Sequence, residues 1–213
     1  MVAKQDNQIN DLIFKELIKR GYSLEGNTRI WNIADSKLWY LRPEQAQAFL
    51  DLENSQDYQE DVIQKEINLI NENMDFIIKR IKGENLNLVD LGCGDGKKAV
   101  LFIDKMKGSS RMRYCPIDIS DYMVEKALNR IRTKDVEEVV KFQWNISDFE
   151  NIENVSNLLR VGDFKKNLYL LLGNTLGNFE INFSLLFISS YITNIINVKI
   201  ISAKLFGLTR PYI

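Results

Sequence analysis

An apolar stripe runs through the segment from Asp57 to Lys82, where hydrophobic residues recur at alternating steps of four and three. This spacing predicts one long amphipathic helix that buries a single face, and Gly83 follows it as a helix-ending residue. The stripe could also form the seam of a coiled coil, but it is shorter than the roughly three to four heptads that such an assignment requires. We therefore predict that it packs on the chain's own core. The stripe residues are Ile63, Ile67, Ile70, Met74, Ile77 and Ile81.

Weaker helical patterns precede this segment. Apolar positions at helical spacing predict a helix over about residues 9–19, and Pro43 can occupy the first turn of a second helix that reaches about Leu52. The intervening residues 27–41 show no single period. Residues 1–83 are therefore predicted to form an N-terminal helical extension that packs on the core.

After Gly83 the pattern changes to short apolar runs that alternate with amphipathic helical segments. Such alternation predicts an α/β domain over residues 84–213, with a mostly parallel sheet and helices on both faces. The predicted strands are about Leu86–Leu91, Met112–Ile117, Val139–Trp144, Leu168–Leu172 and Val198–Leu205, and the predicted helices are about Lys97–Lys107, Asp121–Arg132 and Ile152–Arg160.

Composition narrows the chemistry that this domain can perform. The 213 residues include no histidine, which removes the usual general base near neutral pH, the commonest metal ligand and every triad built on imidazole. Twenty-eight basic and 29 acidic side chains give a formal net charge of −1 without a basic block, so no nucleic-acid partner is expected. Cys93 and Cys115 cannot complete a structural zinc site alone, and no metal is expected.

The sequence also bears on the compartment. Residues 1–20 alternate charged and apolar side chains and lack the continuous apolar core of a signal peptide. Residues 181–198 are uncharged, but their seven Ser, Thr and Asn side chains would be unfavourable in lipid, so a buried helix plus strand is favoured over a membrane span. We expect a cytoplasmic protein with reduced thiols and no membrane partner.

Three alternate glycines, Gly92, Gly94 and Gly96, follow the first predicted strand of the α/β domain, which carries Asp90 near its end. Ligands bind at this point of open α/β sheets, and glycines there permit positive φ and leave the backbone bare for a flat polar ligand. The GxGxG spacing differs from the GxGxxG of dinucleotide sites, and Asp95 inside the loop disfavours a pyrophosphate. Asp90 and the three glycines are therefore candidate contacts for a ligand with a positive sulfonium, with a tight structural turn as the alternative.

A second acid ends the next predicted strand. Asp118 lies about twenty-five residues beyond the loop, where a carboxylate can accept hydrogen bonds from both hydroxyls of a ribose. A helix-capping role is the alternative, although Ser120 and Asp121 are better placed for it.

Two further loops carry polar groups at the same predicted edge of the sheet. Asp148 and Phe149 follow the third strand and could accept a proton from an adenine amino group and cover the ring face, although a simple turn is equally compatible. Thr175 and Asn178 follow the fourth strand in the stretch GNTLGNF. They offer uncharged hydrogen-bonding groups for a polar acceptor, with a solvated turn as the alternative.

Together these stretches resemble the class I methyltransferases that use S-adenosylmethionine, and more narrowly the histidine-specific methyltransferase family of ergothioneine biosynthesis. The narrower resemblance rests on Lys98 after the glycine loop, on the stretch YCPIDIS ending at Ser120, on the Asp148 and Phe149 pair, and on GNTLGNF. It covers about residues 87–179.

The resemblance implies a Rossmann-like fold and S-adenosylmethionine as the cofactor. It implies that Asn178, with Thr175 beside it, contacts the acceptor. Known members methylate the α-amine of histidine or of a modified tryptophan, so the implied substrate is an amine of a small amino-acid-like molecule. The cofactor contacts that the resemblance implies are Gly92, Lys98, Asp118, Asp148 and Phe149.

Two features depart from the family. Its members build much of the acceptor site from residues downstream of the matched asparagine, and only about thirty-five residues follow Asn178 here. Residues 181–213 have room for about one of the three remaining strands of a full sheet, so the sheet is expected to be incomplete at its C-terminus. The alternatives to a methyltransferase are a truncated module that binds an adenosyl ligand or a partner protein without turnover, and a nicotinamide-dependent oxidoreductase.

Overall fold

A computed structural model describes residues 11, 14–15, 17–19, 21–31, 40, 42–142, 152–173, 175 and 198–202. The described residues between positions 11 and 19 are helical, in agreement with the first predicted helix. An antiparallel hairpin follows, formed by β1 (Tyr22–Glu25) and β2 (Thr28–Trp31). Residues 22–31 were not predicted to form a hairpin, although β1 alternates apolar and polar residues and Gly26 and Asn27 between the strands are a two-residue turn signal.

The N-terminal helices form as their patterns predict. Helix α1 is Pro43–Glu53, and α2 is Gln64–Ile81, which continues directly from a short helical turn, Gln56–Tyr58, and a π-helical segment, Gln59–Ile63. Gly83 follows α2 with a φ of 78°, the left-handed conformation expected of a helix-ending glycine.

The apolar stripe of α2 packs on the chain's own core rather than remaining free for a coiled coil. Ile70, Met74 and Ile81 are at most 3% exposed and belong to one cluster with Leu86 and Phe102 of the α/β domain. The extension therefore shares its core with the following residues, while the division of the chain into domains at Gly83 stays a prediction.

The α/β domain alternates strands and helices in the predicted order. Its elements are β3 (Asn85–Leu91), α3 (Lys97–Met106), β4 (Arg111–Ile117), α4 (Asp121–Ile131), β5 (Glu138–Val139), α5 (Ile152–Leu159), β6 (Lys166–Leu171) and β7 (Val198–Ser202).

The third predicted strand is wrong in extent. Within the described residues β5 ends at Val139, residues 140–142 lie outside it, and residues 143–144 are outside the described part of the chain. Among the described residues β5 pairs with β4 over two positions, so its backbone gains ladder hydrogen bonds from one neighbouring strand.

The five strands of the domain form one parallel sheet in the order β5-β4-β3-β6-β7. Its central strand, β3, is buried on both faces, as expected of a parallel sheet covered by helices. Leu86 and Leu88 join the core on the side of α2 and α3, whereas Val89 and Leu91 join the core on the side of α5. This confirms the α/β prediction and places the ends of β3, β4 and β6, and the loops that follow them, at a single edge of the sheet.

Two buried amide side chains, Asn87 and Asn167, attach helix α5 to the sheet. Three acceptors lie within hydrogen-bond distance of Asn87 Nδ2 and share its two N–H groups: the Leu159 carbonyl (3.0 Å), the Phe164 carbonyl (3.1 Å) and Asn167 Oδ1 (2.9 Å). Asn167 Nδ2 in turn donates to Ser156 Oγ (2.9 Å). These bonds hold α5 and the turn after it against β3 and β6.

The described residues contain neither a candidate membrane-spanning helix nor a candidate metal site. No helix that the structure describes is long and apolar enough to cross a membrane. No group of three His, Cys, Asp or Glu side chains in the described ranges is arranged to hold a metal ion.

Candidate cofactor site

The loop after β3 turns sharply because its glycines adopt left-handed backbone angles. Gly92, Gly94 and Gly96 have φ values of 68°, 52° and 75°, which are strained for any residue with a Cβ. The Gly92 N–H donates to the Ile117 carbonyl at 2.8 Å, so the loop begins against the end of β4. Gly96 then occupies the N-cap position of α3.

Asp118 fastens the glycine loop to the next strand. Its Oδ2 accepts a hydrogen bond from the Gly94 N–H (3.0 Å), and its Oδ1 accepts one from the Ser120 N–H (3.0 Å). Burial raises the pKa of Asp118, and the N–H groups of Ser120, Gly94 and Ile119 oppose that rise. A carboxylate has about four lone-pair positions, so each oxygen can still accept a second hydrogen bond from a ligand hydroxyl.

The loop after β6 touches the glycine loop. A Cβ added to Gly92 would lie 2.5 Å from Thr175 Oγ1, a distance that only a residue without a side chain allows. The Thr175 hydroxyl donates to the Leu172 carbonyl at 3.0 Å and can still accept a hydrogen bond. The predicted cofactor loop and the predicted acceptor loop are therefore in direct contact.

A buried carboxylate lies beneath the glycine loop. Asp90 is 3% exposed, and its Oδ2 accepts a hydrogen bond from the Tyr114 hydroxyl at 2.8 Å. Burial raises the pKa of Asp90 to about 7; the Tyr114 hydrogen bond opposes this, and the nearby Asp118 carboxylate adds to it. Asp90 therefore changes charge near neutral pH, next to the position proposed for a cationic ligand.

Lys98, in the first turn of α3, is held by carboxylates from both N-terminal helices. Its Nζ lies 2.8 Å from Glu66 Oε2 of α2 and 4.0 Å from Glu53 Oε1 of α1. Glu66 is 4% exposed, and its other oxygen accepts a hydrogen bond from the Gly173 N–H after β6. Burial raises the pKa of Glu53, and the charge of Lys98 lowers it.

The charge of Asp95 in the glycine loop is compensated by a neighbouring side chain. Its carboxylate forms an ion pair with Arg130 of α4 and accepts a hydrogen bond from the Lys97 N–H at 3.0 Å. Because the Arg130 guanidinium offsets the charge of Asp95, this carboxylate disfavours a pyrophosphate less than the sequence alone indicates.

The two cysteines are buried free thiols. Burial raises the pKa of Cys115 to about 12 and that of Cys93 well above its ordinary value. Both thiols are therefore neutral near pH 7 and are not nucleophiles or proton acceptors there.

The structure brings most of the sequence-predicted site residues together at one edge of the sheet. Asp148, Phe149 and Asn178 lie outside the described residues, and their roles stay predictions. The residues brought together are Asp90, Gly92, Gly94, Gly96, Lys98, Asp118 and Thr175.

Sequence reasoning missed Glu53 and Glu66. Glu66 could have been identified from the sequence, because it stands three residues after Ile63 and four before Ile70 and therefore falls on the buried stripe of α2. A charged residue on the buried face of an amphipathic helix requires a partner, and here that partner is Lys98.

Comparisons with known proteins bear on the family to which the chain belongs. The model of the family described as histidine-specific methyltransferase, SAM-dependent, matches residues 46–199, which is 154 of the 213 residues. One solved structure that the chain is similar to is magnesium protoporphyrin IX methyltransferase from Synechocystis PCC 6803 with bound SAM, at 16% identity and a TM-score of 0.34, covering 70% of each chain. No curated protein sequence matches. The family match spans well over half of the chain, and the protein therefore belongs to the histidine-specific, S-adenosylmethionine-dependent methyltransferase family.

Proposed function

We propose that this methyltransferase transfers the methyl group of S-adenosylmethionine to an amine nitrogen of a small, amino-acid-like molecule. The family assignment supplies the cofactor, and the acceptor class is the part that goes beyond it. The observation that supports the proposal is the contact between Gly92 and Thr175, because the uncharged loop after β6, to which we assign the acceptor, lies directly beside the glycine loop.

The residues at the sheet edge suit an adenosyl ligand. Asp118 keeps lone pairs for the two ribose hydroxyls, and Gly92, Gly94 and Gly96 leave a bare backbone against which the ligand can lie. Asp148 and Phe149 are assigned to the adenine amino group and ring face. The carboxylates of Asp90 and Asp118 supply negative potential that favours a sulfonium.

The protein's own contribution to the reaction is alignment. When bound, the cofactor supplies an activated methyl group on a positively charged sulfur. Asn178 and Thr175 are assigned to orient the acceptor by hydrogen bonds so that its nitrogen faces that methyl group. Holding two reactants in near-attack geometry can contribute on the order of 7 kcal/mol or more, so positioning alone gives a substantial rate enhancement.

A transfer assay with paired acceptors tests the acceptor class. Purified protein and S-adenosylmethionine are incubated with histidine, tryptophan and other free amino acids, each paired with its Nα-acetyl derivative, and products are identified by mass and fragmentation. The proposal predicts methylation at nitrogen for at least one free amine and none for its acetylated partner. Methylation of carbon, oxygen or sulfur, or equal use of acetylated partners, would contradict it.

The same assay separates turnover from a binding-only module. Binding of S-adenosylhomocysteine without transfer to any acceptor in a broad amine panel would select the inactive alternative. Asp118→Ala serves as the matched control, because it should weaken cofactor binding and reduce transfer together.

A further inference from the structure

Glu66 joins three parts of the molecule through one buried carboxylate. It projects from α2, pairs through Oε2 with Lys98 Nζ at 2.8 Å, and accepts the Gly173 N–H through Oε1. Lys98 follows the glycine loop, and Gly173 begins the loop after β6. The N-terminal extension, the cofactor loop and the acceptor-side loop therefore meet at a side chain that is only 4% exposed.

The order of strands indicates which end of a bound cofactor would lie nearest to the Glu66 carboxylate. β4 and β6 flank β3 on opposite sides, so Asp118 after β4 and Gly173 after β6 lie on opposite sides of the glycine loop. If the ribose is bound at Asp118, the amino-acid end of the cofactor extends toward β6 and Lys98. An ammonium on that side suits the carboxylate of the methionine moiety.

Lys98 can reach such a carboxylate only if its long side chain is held in place. A lysine ammonium has three N–H donors, and Glu66 is the partner within hydrogen-bond distance, whereas Glu53 at 4.0 Å is an ion-pair partner only. Gly173 provides the space for this arrangement, since a Cβ there would lie 2.5 Å from Lys98 Nζ. Glu66 thus fixes the ammonium and leaves N–H donors available for a ligand.

We propose that Glu66 is a positioning residue for methyl transfer, which orients Lys98 toward the amino-acid end of the cofactor and holds the β6 loop beside it. The inference rests on the proposed cofactor site. It predicts that Glu66 affects ligands that carry the amino-acid end and has no effect on ligands that lack it.

The test compares two adenosyl ligands by calorimetry, S-adenosylhomocysteine and 5′-methylthioadenosine, which lacks the amino-acid end. Glu66→Gln keeps the volume and a carbonyl for the Gly173 N–H but removes the charge that holds Lys98. We expect it to weaken S-adenosylhomocysteine binding about tenfold, the scale of one charged hydrogen bond, and to leave 5′-methylthioadenosine binding unchanged. A merely structural role would weaken both ligands in proportion.

A double-mutant cycle shows whether Glu66 acts through Lys98. Lys98→Met should weaken S-adenosylhomocysteine binding by a similar factor, and the double variant E66Q/K98M should bind no worse than K98M alone. The double variant also removes both charges of this pair, so it remains usable if Glu66→Gln, which leaves Lys98 with the more distant Glu53, does not fold. Asp104→Asn is the matched control. Asp104 lies on α3, as Lys98 does, and its substitution breaks an exposed ion pair with Lys134, so both affinities should be unchanged.

Each other outcome has a defined meaning. Proportional loss of both ligands, unchanged or tighter S-adenosylhomocysteine binding in E66Q, or additive losses in the double variant would overturn the positioning role alone. Failure of the wild-type protein to bind either ligand would refute the proposed function and this inference with it.

Discussion

Asp90→Asn should change how the stability of the protein depends on pH. Asp90 is buried beneath the glycine loop, and its pKa is raised from 3.8 to about 7. A carboxyl whose folded-state pKa lies above its unfolded value stabilises the fold fully below the unfolded pKa, and this contribution is lost as the pH rises through the folded pKa. Asparagine has nearly the same shape, can accept the Tyr114 hydrogen bond and does not ionise.

The magnitude follows from the size of the shift. An increase of about three pH units corresponds to roughly 4 kcal/mol, at about 1.36 kcal/mol per unit. The free energy of unfolding of the wild-type protein should therefore fall relative to that of D90N by about this amount between pH 4 and pH 8. Most of the change should occur between the two pKa values, and the difference should level off above about pH 7.

Urea denaturation at a series of pH values measures this difference directly. Other carboxyls, including Asp118 and Glu53, have raised pKa values, but they are present in both proteins and largely cancel in the comparison. A difference in stability that stays constant from pH 4 to pH 8 would show that Asp90 titrates at its ordinary pKa, and would refute the reasoning from burial.

Four other predictions concern the loops and the core. Asp118→Ala should weaken S-adenosylhomocysteine binding by about 1.5 to 3 kcal/mol, measured by calorimetry, because it removes charged hydrogen bonds to the ribose. Gly92→Ala should lower the free energy of unfolding by about 1 to 3 kcal/mol, through its positive φ and the clash with Thr175, and G92A/T175A should recover the part due to the clash. Asn87→Ala should lower stability by about 1 to 3 kcal/mol in urea denaturation, since it removes the amide donor to the buried Phe164 carbonyl while the Leu159 carbonyl keeps the Val161 N–H, without changing affinity for S-adenosylhomocysteine. Asn178→Ala should preserve S-adenosylhomocysteine binding and reduce acceptor use in the transfer assay.

A different result would contradict each of these predictions. Unchanged affinity in D118A would contradict the ribose assignment, and equal stability of G92A and G92A/T175A would show that the Thr175 contact contributes nothing. Loss of S-adenosylhomocysteine affinity in N87A would mean that the core network affects the site, and loss of the cofactor in N178A would place that side chain on the wrong ligand.

The fold of the α/β domain could be read from the sequence because its strands are buried on both faces. Their apolar runs, such as residues 168–172, are separated by glycines and by amphipathic helices with a clear period. The β1–β2 hairpin was missed although Gly26 and Asn27 between its strands are a two-residue turn signal, because its eight strand residues are all exposed and no buried face distinguishes them. β5 was predicted too long, because Val140, Phe142 and Trp144 continue an alternating apolar pattern beyond the two positions at which β4 pairs with it.

The candidate site was predictable where a local motif carried the chemistry. Gly92, Gly94, Gly96 and Asp118 stand at the ends of predicted strands, so their meeting follows from a parallel sheet. The partners of charged residues were not predictable in this way. The Lys98–Glu66 pair spans 32 positions and the Asp95–Arg130 pair spans 35, and both depend on how helices pack against one another.

A crystal structure of the protein with S-adenosylhomocysteine would show directly whether the glycine loop binds the cofactor. We predict electron density for the ligand across residues 92–96, with the ribose hydroxyls hydrogen-bonded to Asp118 and the amino-acid end on the side of β6 near Lys98. A ligand bound elsewhere on the molecule, or one bound at this edge with its ribose away from Asp118, would contradict it.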